Sequence, residues 1–223
     1  MIFAVVPVKR FERAKSRLAE ALSTHERREL SCAMLGDVFE ALADARGLDG
    51  AVIVTGEPEA QTMAATYGFE CLDEAREAGV NAAVSLGLDR VAAYGSAALV
   101  VPGDVPFLSA AEVGMILGAL AVAPVVLAPA ARDGGTNALA LARADLLRPA
   151  FGPDSAARHA ALSRALGVEP VVLRLPGAGR DIDVPADLEE REGQGGPRTR
   201  GLLDRLARAS SAQTVGQRER TTT

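Results

Sequence analysis

The chain has almost no lysine: of its 24 basic residues only Lys9 and Lys15 are lysines, and the rest are arginines. It has no tryptophan, and aromatics make up 4% of a sequence that is 48% hydrophobic, so its core must be aliphatic. That composition suits an α/β domain. Cys32 and Cys71 are the whole cysteine complement, with no CxxC and no cluster of Cys with His. A zinc ribbon and a disulfide framework are thereby excluded, and two structural thiols in a reducing cytoplasm are expected. The opening apolar run is five or six residues long, too short for a signal peptide or a membrane span, so no membrane is expected. No GxxxxGK[ST] occurs and no strand runs into GxGxxG, so neither a P-loop nor a dinucleotide-type Rossmann site is expected. No Ser-His-Asp or Cys-His arrangement stands out either. The formal net charge is −5, unevenly spread: from Glu192 onward the chain carries +3, which leaves residues 1–191 at −8. An acidic body does not bind a nucleic-acid duplex, whose affinity comes from phosphate neutralisation.

What is present is an alternation of short aliphatic runs with helical periodicity. Strands are expected at Ile2–Val6, Ala51–Thr55, Phe69–Leu72, Ala97–Val101, Val125–Ala128 and Asn137–Ala142, with Pro170–Leu173 extended. Helices are expected at Ser23–Ala45, Glu59–Tyr67, Asn81–Ala93, Ala110–Leu120 and Ser155–Leu166, with a short one at Pro185–Arg191. Ser23 and Glu26 have capping-box spacing, and Leu30, Met34, Val38 and Leu42 recur at intervals of four. Continuous apolar strands between helices indicate a three-layer α/β/α domain with a mostly parallel sheet, assigned to residues 1–191. The remainder, 192–223, reads as an Arg-rich tail: GQGGPRTR is a linker by composition, and disorder is the expected state. A docking helix over GLLDRLARA is the alternative. No residue pattern speaks to oligomeric state.

Ligands of such sheets sit beyond the carboxyl ends of the strands. After the first strand come Lys9, Arg10, Arg13, Lys15 and Arg17, five cations in nine positions. A solvated basic loop is the plain reading, but the location and the two lysines favour phosphate binding, because an ammonium is a point charge that can follow a moving phosphate. After the strand at 97–101 comes Pro-Gly-Asp104-Val-Pro, which holds a carboxylate rigidly, either as a turn residue or as a hard oxygen ligand for Mg²⁺. In DIDVPADL, alternation puts Asp181 and Asp183 on one side and Ile182 on the other; Asp183 either caps the last helix or supplies a second carboxylate. Gly152 and Ser155 in FGPDSAARH open a helix, where Asp154 or Ser155 would serve as cap or the N-terminus would meet an anion. His159 reads as a surface or core histidine. Asn81 begins another helix, as a cap or as a nucleotide contact.

The segments VPVK…AKSRL, GVNAAV, VPGDVP, DGGTNAL, FGPDSAARH and DIDVPADL occur in order over residues 5–188. Together they resemble the guanylyltransferases that make the phospholactyl, phosphoenolpyruvyl or phosphoglyceryl guanosine diphosphate used in building the deazaflavin coenzyme F-420. The resemblance implies a Rossmann-like nucleotidyltransferase fold, GTP as donor, Mg²⁺ as cofactor and a phosphorylated three-carbon acid as acceptor. It places metal on Asp104 and Asp183, and the acid on Thr136, Gly152 and Ser155. Lys15, with Lys9 and Arg17, is assigned to the nucleotide phosphates on the electrostatic argument, Lys15 also to catalysis with the two aspartates, and Asn81 to the nucleotide. The rival readings are an enzyme of the same fold acting on a molybdopterin or sugar phosphate, and a nucleotide-binding module without catalysis.

Overall fold

The computed structural model describes residues 1–74, 78–189 and 196–220. The strands are β1 (Ile2–Val8), β2 (Gly50–Thr55), β3 (Glu70–Asp73), β4 (Ala97–Val100), β5 (Val125–Pro129), β6 (Thr136–Leu141) and β7 (Val171–Val172). The helices are α1 (Thr24–Ala43), α2 (Pro58–Thr66), α3 (Val80–Ala93), α4 (Ala110–Ala119), α5 (Ser155–Ala165) and α6 (Pro197–Arg220). Ser23 caps α1 through the expected capping box with Glu26. Pro185–Glu189 is a 3-10 turn in place of the short α-helix, whose last residues, 190 and 191, lie outside the described ones.

All seven strands form one sheet in the order β3-β2-β1-β4-β6-β5-β7. β1 runs parallel to β2 and β4, β2 to β3, and β5 to β7; β6 is antiparallel to both of its neighbours. The link from β5 to β6 is too short for a parallel crossover, which takes a dozen or more residues, so the chain makes a hairpin there. The reversal has a consequence for function. It brings the start of β6, at Thr136, to the same edge of the sheet as the carboxyl ends of β1, β4 and β5. The strand order changes direction between β1 and β4, the position where an open α/β sheet leaves a crevice.

Strand alternation divides the core cleanly. Ala4, Val6, Ile53, Leu99 and Ala140 face α1, α2 and α4 in one cluster, while Val5, Val52, Val54, Val100 and Leu139 face α3 and α5 in another. A third cluster lies under the crevice: Leu18, Leu30, Met34, Phe107, Ile182, Leu202 and Leu203. It joins the basic loop, α1, the segment after Asp104 and the residue between Asp181 and Asp183.

Leu202 and Leu203 belong to α6, so this part of the tail differs from the disorder expected of it. Part of the glycine-rich linker and residues 221–223 lie outside the described residues. The physical reason for the docking is a long-range cap. The buried carboxylate of Asp37, in the middle of α1, accepts from the backbone N–H groups of Arg198 (3.0 Å) and Thr199 (2.8 Å), the first turn of α6. Ending the chain at residue 195 is expected to uncover Leu18, Phe107 and Ile182, and Leu203→Ala to cost about 2–4 kcal/mol by cavity formation. Urea unfolding reads both; a truncated chain as stable as the full one would return the tail to the state its composition suggests.

Candidate active site

Between the first strand and α1 the chain makes two 3-10 turns, Phe11–Arg13 and Ser16–Leu18, each anchored by one buried apolar side chain, Phe11 and Leu18. The buried carboxylate of Glu57, just after β2, accepts from the Phe11 N–H at 2.9 Å and so fixes the loop from the neighbouring strand. Lys15 sits between the turns in the left-handed region, φ 55° and ψ 38°. A side chain with a Cβ takes that conformation at a cost of about 1 kcal/mol or more. Here it carries Lys15 inward while Lys9, Arg13 and Arg17 line the mouth of the same cavity.

The ammonium of Lys15, only 9% exposed, donates to Asp104 Oδ2 at 2.6 Å and lies 3.6 Å from Asp183 Oδ1. Arg17 donates to the other oxygen of Asp183 at 2.9 Å. Burial disfavours the charge on Lys15, but the carboxylates of Asp104, Asp183 and Asp181, Asp104 foremost, together outweigh it and raise the lysine above its ordinary value. The same pairing works on Asp104: burial opposes its charge, the Lys15 ammonium overrides it, and the carboxyl lies below the usual range. Asp181 is pushed the other way, up, by burial and by the Asp104 charge. Asp183 does not cap the final turn. The roles are reversed: Asp187 Oδ2 accepts from the N–H groups of Asp183 (2.7 Å) and Val184 (2.8 Å), and Arg132 grips both oxygens of Asp187. Asp187 and Arg132, neither singled out from sequence, thus aim Asp183 at the cavity.

Opposite the charged cluster lies a neutral one. Thr136, Ser155 and His159 are all buried, with Ser155 Oγ 3.0 Å from Thr136 Oγ1 and His159 Nδ1 3.0 Å from the same oxygen. Asp154 takes the N-cap place of α5 at φ 53° but makes no side-chain cap bond, and Ser155 turns to Thr136 instead of capping. Gly152 has φ 125°, a conformation that suits glycine, and lines the cavity. Asn81 lies in the first turn of α3. Its Nδ2 donates to Phe151 O (3.1 Å), its Oδ1 accepts from Phe151 N (2.7 Å), and it is absent from the cavity wall. Each end of its amide makes one hydrogen bond, and together they tie α3 to the loop 150–155. His159 is likewise no bystander: its Nε2 accepts from Ala150 N at 2.9 Å, and Arg158 donates twice to Ala150 O. The cavity enclosed by these two clusters has a volume of about 700 Å³, in the range of small-molecule sites. Lys9, Lys15, Arg17, Asp104, Asp183, Thr136, Gly152 and Ser155 all line it.

A family model described as "Guanylyl transferase CofC like" matches residues 2–212. The chain belongs to that family. It is 38% identical to the phosphoenolpyruvate guanylyltransferase of Conexibacter woesei over 218 residues, 93% of this chain and 97% of that one. It is 42% identical to the phosphoenolpyruvate guanylyltransferase of Sphaerobacter thermophilus over 191 residues, covering 85% and 92%. A 3-phospho-D-glycerate guanylyltransferase of Phenylobacterium zucineum is 38% identical over 220 residues, covering 96% and 100%. Among solved structures, a nucleotidyl transferase from Methanothermobacter thermautotrophicus has the same fold, with TM-score 0.63 at 22% identity over 94% of this chain and 99% of that one. The enzyme is a nucleotidyltransferase of guanylyl type. No described helix is long and apolar enough to cross a membrane.

The thiols take no part. Burial, with a hydrogen bond donated by the thiol to Glu59, pushes Cys32 up to about 11, and burial raises Cys71 too, so both stay protonated. His159 is held down, to about 4, by burial and then by the Arg158 charge. A depressed histidine gives stability that is full above its unfolded value and lost as pH falls toward the folded one, because the unfolded chain takes the proton first. Between about pH 6.5 and pH 4 this histidine is expected to remove about 3 kcal/mol of stability. His159→Gln, which does not titrate there, should lose correspondingly less in urea unfolding over that window; equal losses would contradict the assignment.

Proposed function

We propose that the enzyme transfers GMP from GTP to the phosphate of a phosphorylated three-carbon acid, releasing pyrophosphate, as a step in the biosynthesis of coenzyme F-420. The acceptor class is that of phosphoenolpyruvate, 3-phospho-D-glycerate and 2-phospho-L-lactate, the compounds named in the relatives' activities. The observation that carries the reading is the cavity itself, which gathers Lys9, Arg13, Lys15 and Arg17 with the carboxylates of Asp104, Asp181 and Asp183 at one end and the hydroxyls of Thr136 and Ser155 at the other. A triphosphate and a small phosphorylated acid need that division.

In the reaction a phosphate oxygen of the acceptor attacks the α-phosphorus of GTP. The new phosphorus–oxygen bond forms as the bond to the bridging oxygen of pyrophosphate breaks, and pyrophosphate carries the released electron pair away. The acceptor phosphate is already ionised near neutral pH, so no general base is required. Positioning and charge neutralisation do most of the work in such transfers. Lys15 is a protonated, buried cation, and it would trade its carboxylate contacts for the phosphate chain of the nucleotide. Lys9 and Arg17, at the mouth, would follow the departing pyrophosphate.

A Mg²⁺ ion fits the donor set. Among the described residues no group of three or more His, Cys, Asp or Glu side chains would cage a metal, and Mg²⁺ commonly takes one or two carboxylates and completes its shell with substrate phosphates and water. Asp104 and Asp183 would hold it, and it would supply neutralisation of phosphate charge.

Pyrophosphate release with Mg²⁺, measured for each of the four nucleoside triphosphates against the three acids, tests the reading: release is expected with GTP and with one acid well above the others. Lys15→Met and Asp104→Asn should each lower turnover by about 10²–10³. No release with any pair from folded protein, or near-unchanged turnover in both variants, would overturn it.

A further inference from the structure

His159 offers a proton count that the reaction above does not use. A backbone N–H can only donate, so the Ala150 N–H, 2.9 Å from His159 Nε2, requires that nitrogen to be bare. A neutral imidazole then carries its one hydrogen on Nδ1, which donates to Thr136 Oγ1 at 3.0 Å. Doubly protonated imidazole would set two donors against each other at Ala150.

The consequence passes to the hydroxyl pair. Thr136 and Ser155 hold two hydroxyl hydrogens and share one hydrogen bond of 3.0 Å. One hydrogen is left over, whichever hydroxyl donates to the other. Neither hydroxyl has another acceptor among the described residues, and both line the cavity. Beside them is Asn137, 7% exposed, whose Nδ2 has no hydrogen-bond partner. Asn137 is the extra residue of a β-bulge: Ala138 pairs with Ala128 but Thr136 with Pro129, so two consecutive side chains, Thr136 and Asn137, reach the same cavity. Buried donors without acceptors are costly, and this end of the cavity holds two of them. Arg158 donates twice to Ala150 O, and Asp133, which also lines the cavity, accepts from the Gly135 N–H at 2.9 Å.

We propose that His159 is a positioning residue, fixed in its Nδ1–H form by Ala150, which directs the Thr136–Ser155 hydroxyl pair to donate, with Asn137, to the carboxylate of the acceptor acid. This rests on the reading of the acceptor given above. The phosphate that attacks must lie toward Lys15, so the carboxylate of a three-carbon acid falls at the opposite, neutral end. Fixed neutral donors suit a planar, singly charged group, and they reject a substrate that brings only a hydrogen-bond donor to this place.

Nitrogen-15 NMR of the unmodified protein at neutral pH decides the first half, because the chain has two histidines and ring tautomers are read directly. Protonation at Nδ1 is expected for His159; protonation at Nε2, or at both, overturns the inference whatever the substrate is. Kinetics decide the second half. His159→Leu is expected to raise KM for the acid about tenfold, the contribution of one directed hydrogen bond, with KM for GTP unchanged. His159→Asn, whose amide nitrogen stands near the place of Nδ1, is expected to recover most of that loss. Equal losses in the two variants, or equal rises in both KM values, would mean a purely structural histidine. Absence of turnover with all three acids would remove the functional reading while leaving the tautomer result standing.

Discussion

One buried ammonium organises this enzyme's site. Lys15 lies between Asp104 and Asp183 with almost no water access, and a buried charge stripped of its partners is strongly destabilising. Each partner comes from a different part of the chain, so the pair of contacts holds together the loop after β1, the turn after β4 and the segment near residue 183. The rest of the architecture serves that meeting. Leu18, Phe107 and Ile182, each a near neighbour in sequence of one member, pack in a single apolar cluster beneath it. Glu57 pins the loop, and the Asp187–Arg132 pair orients Asp183. The left-handed backbone of Lys15 is the strained element these supports maintain.

The cavity works by contrast between its ends. Long cationic side chains line the mouth, where charge must arrive and leave. The far end is built from hydroxyls, an amide and backbone, with positions set by clamps on Ala150 and Phe151. Mobile point charges suit a phosphate chain, and fixed neutral donors suit the discrimination of a small acid.

Much of this was legible in the sequence. Every expected strand exists within about two residues, since buried parallel strands write continuous apolar runs and little else does. The lysines, Asp104, Asp183, Thr136, Gly152 and Ser155 meet in one cavity: the lysines and Asp104 follow strands at the crevice edge, Thr136 begins one, and Gly152 and Ser155 open α5. Other features depended on distant partners. The hairpin between β5 and β6 was readable from loop length alone but not drawn from it. Asn81 was placed correctly at a helix start, yet its amide answers to Phe151, seventy residues away. The docking of α6 turns on Asp37, a charged residue inside α1 that looks like a surface position until its carboxylate is found capping another helix. His159 looked bland for the same reason: its importance lies in what touches it.

The scarcity of lysine makes the central claim directly measurable. Uniform carbon-13 labelling of lysine gives signals from Lys9 and Lys15 alone, and GTP with Mg²⁺ can be titrated against both. If Lys15 exchanges its aspartates for nucleotide phosphates, its side-chain resonance shifts and saturates with GTP, and Lys15 is the more strongly perturbed of the two. A Lys15 signal that stays in place while GTP binds would contradict the account, leaving the buried ammonium a structural ion pair.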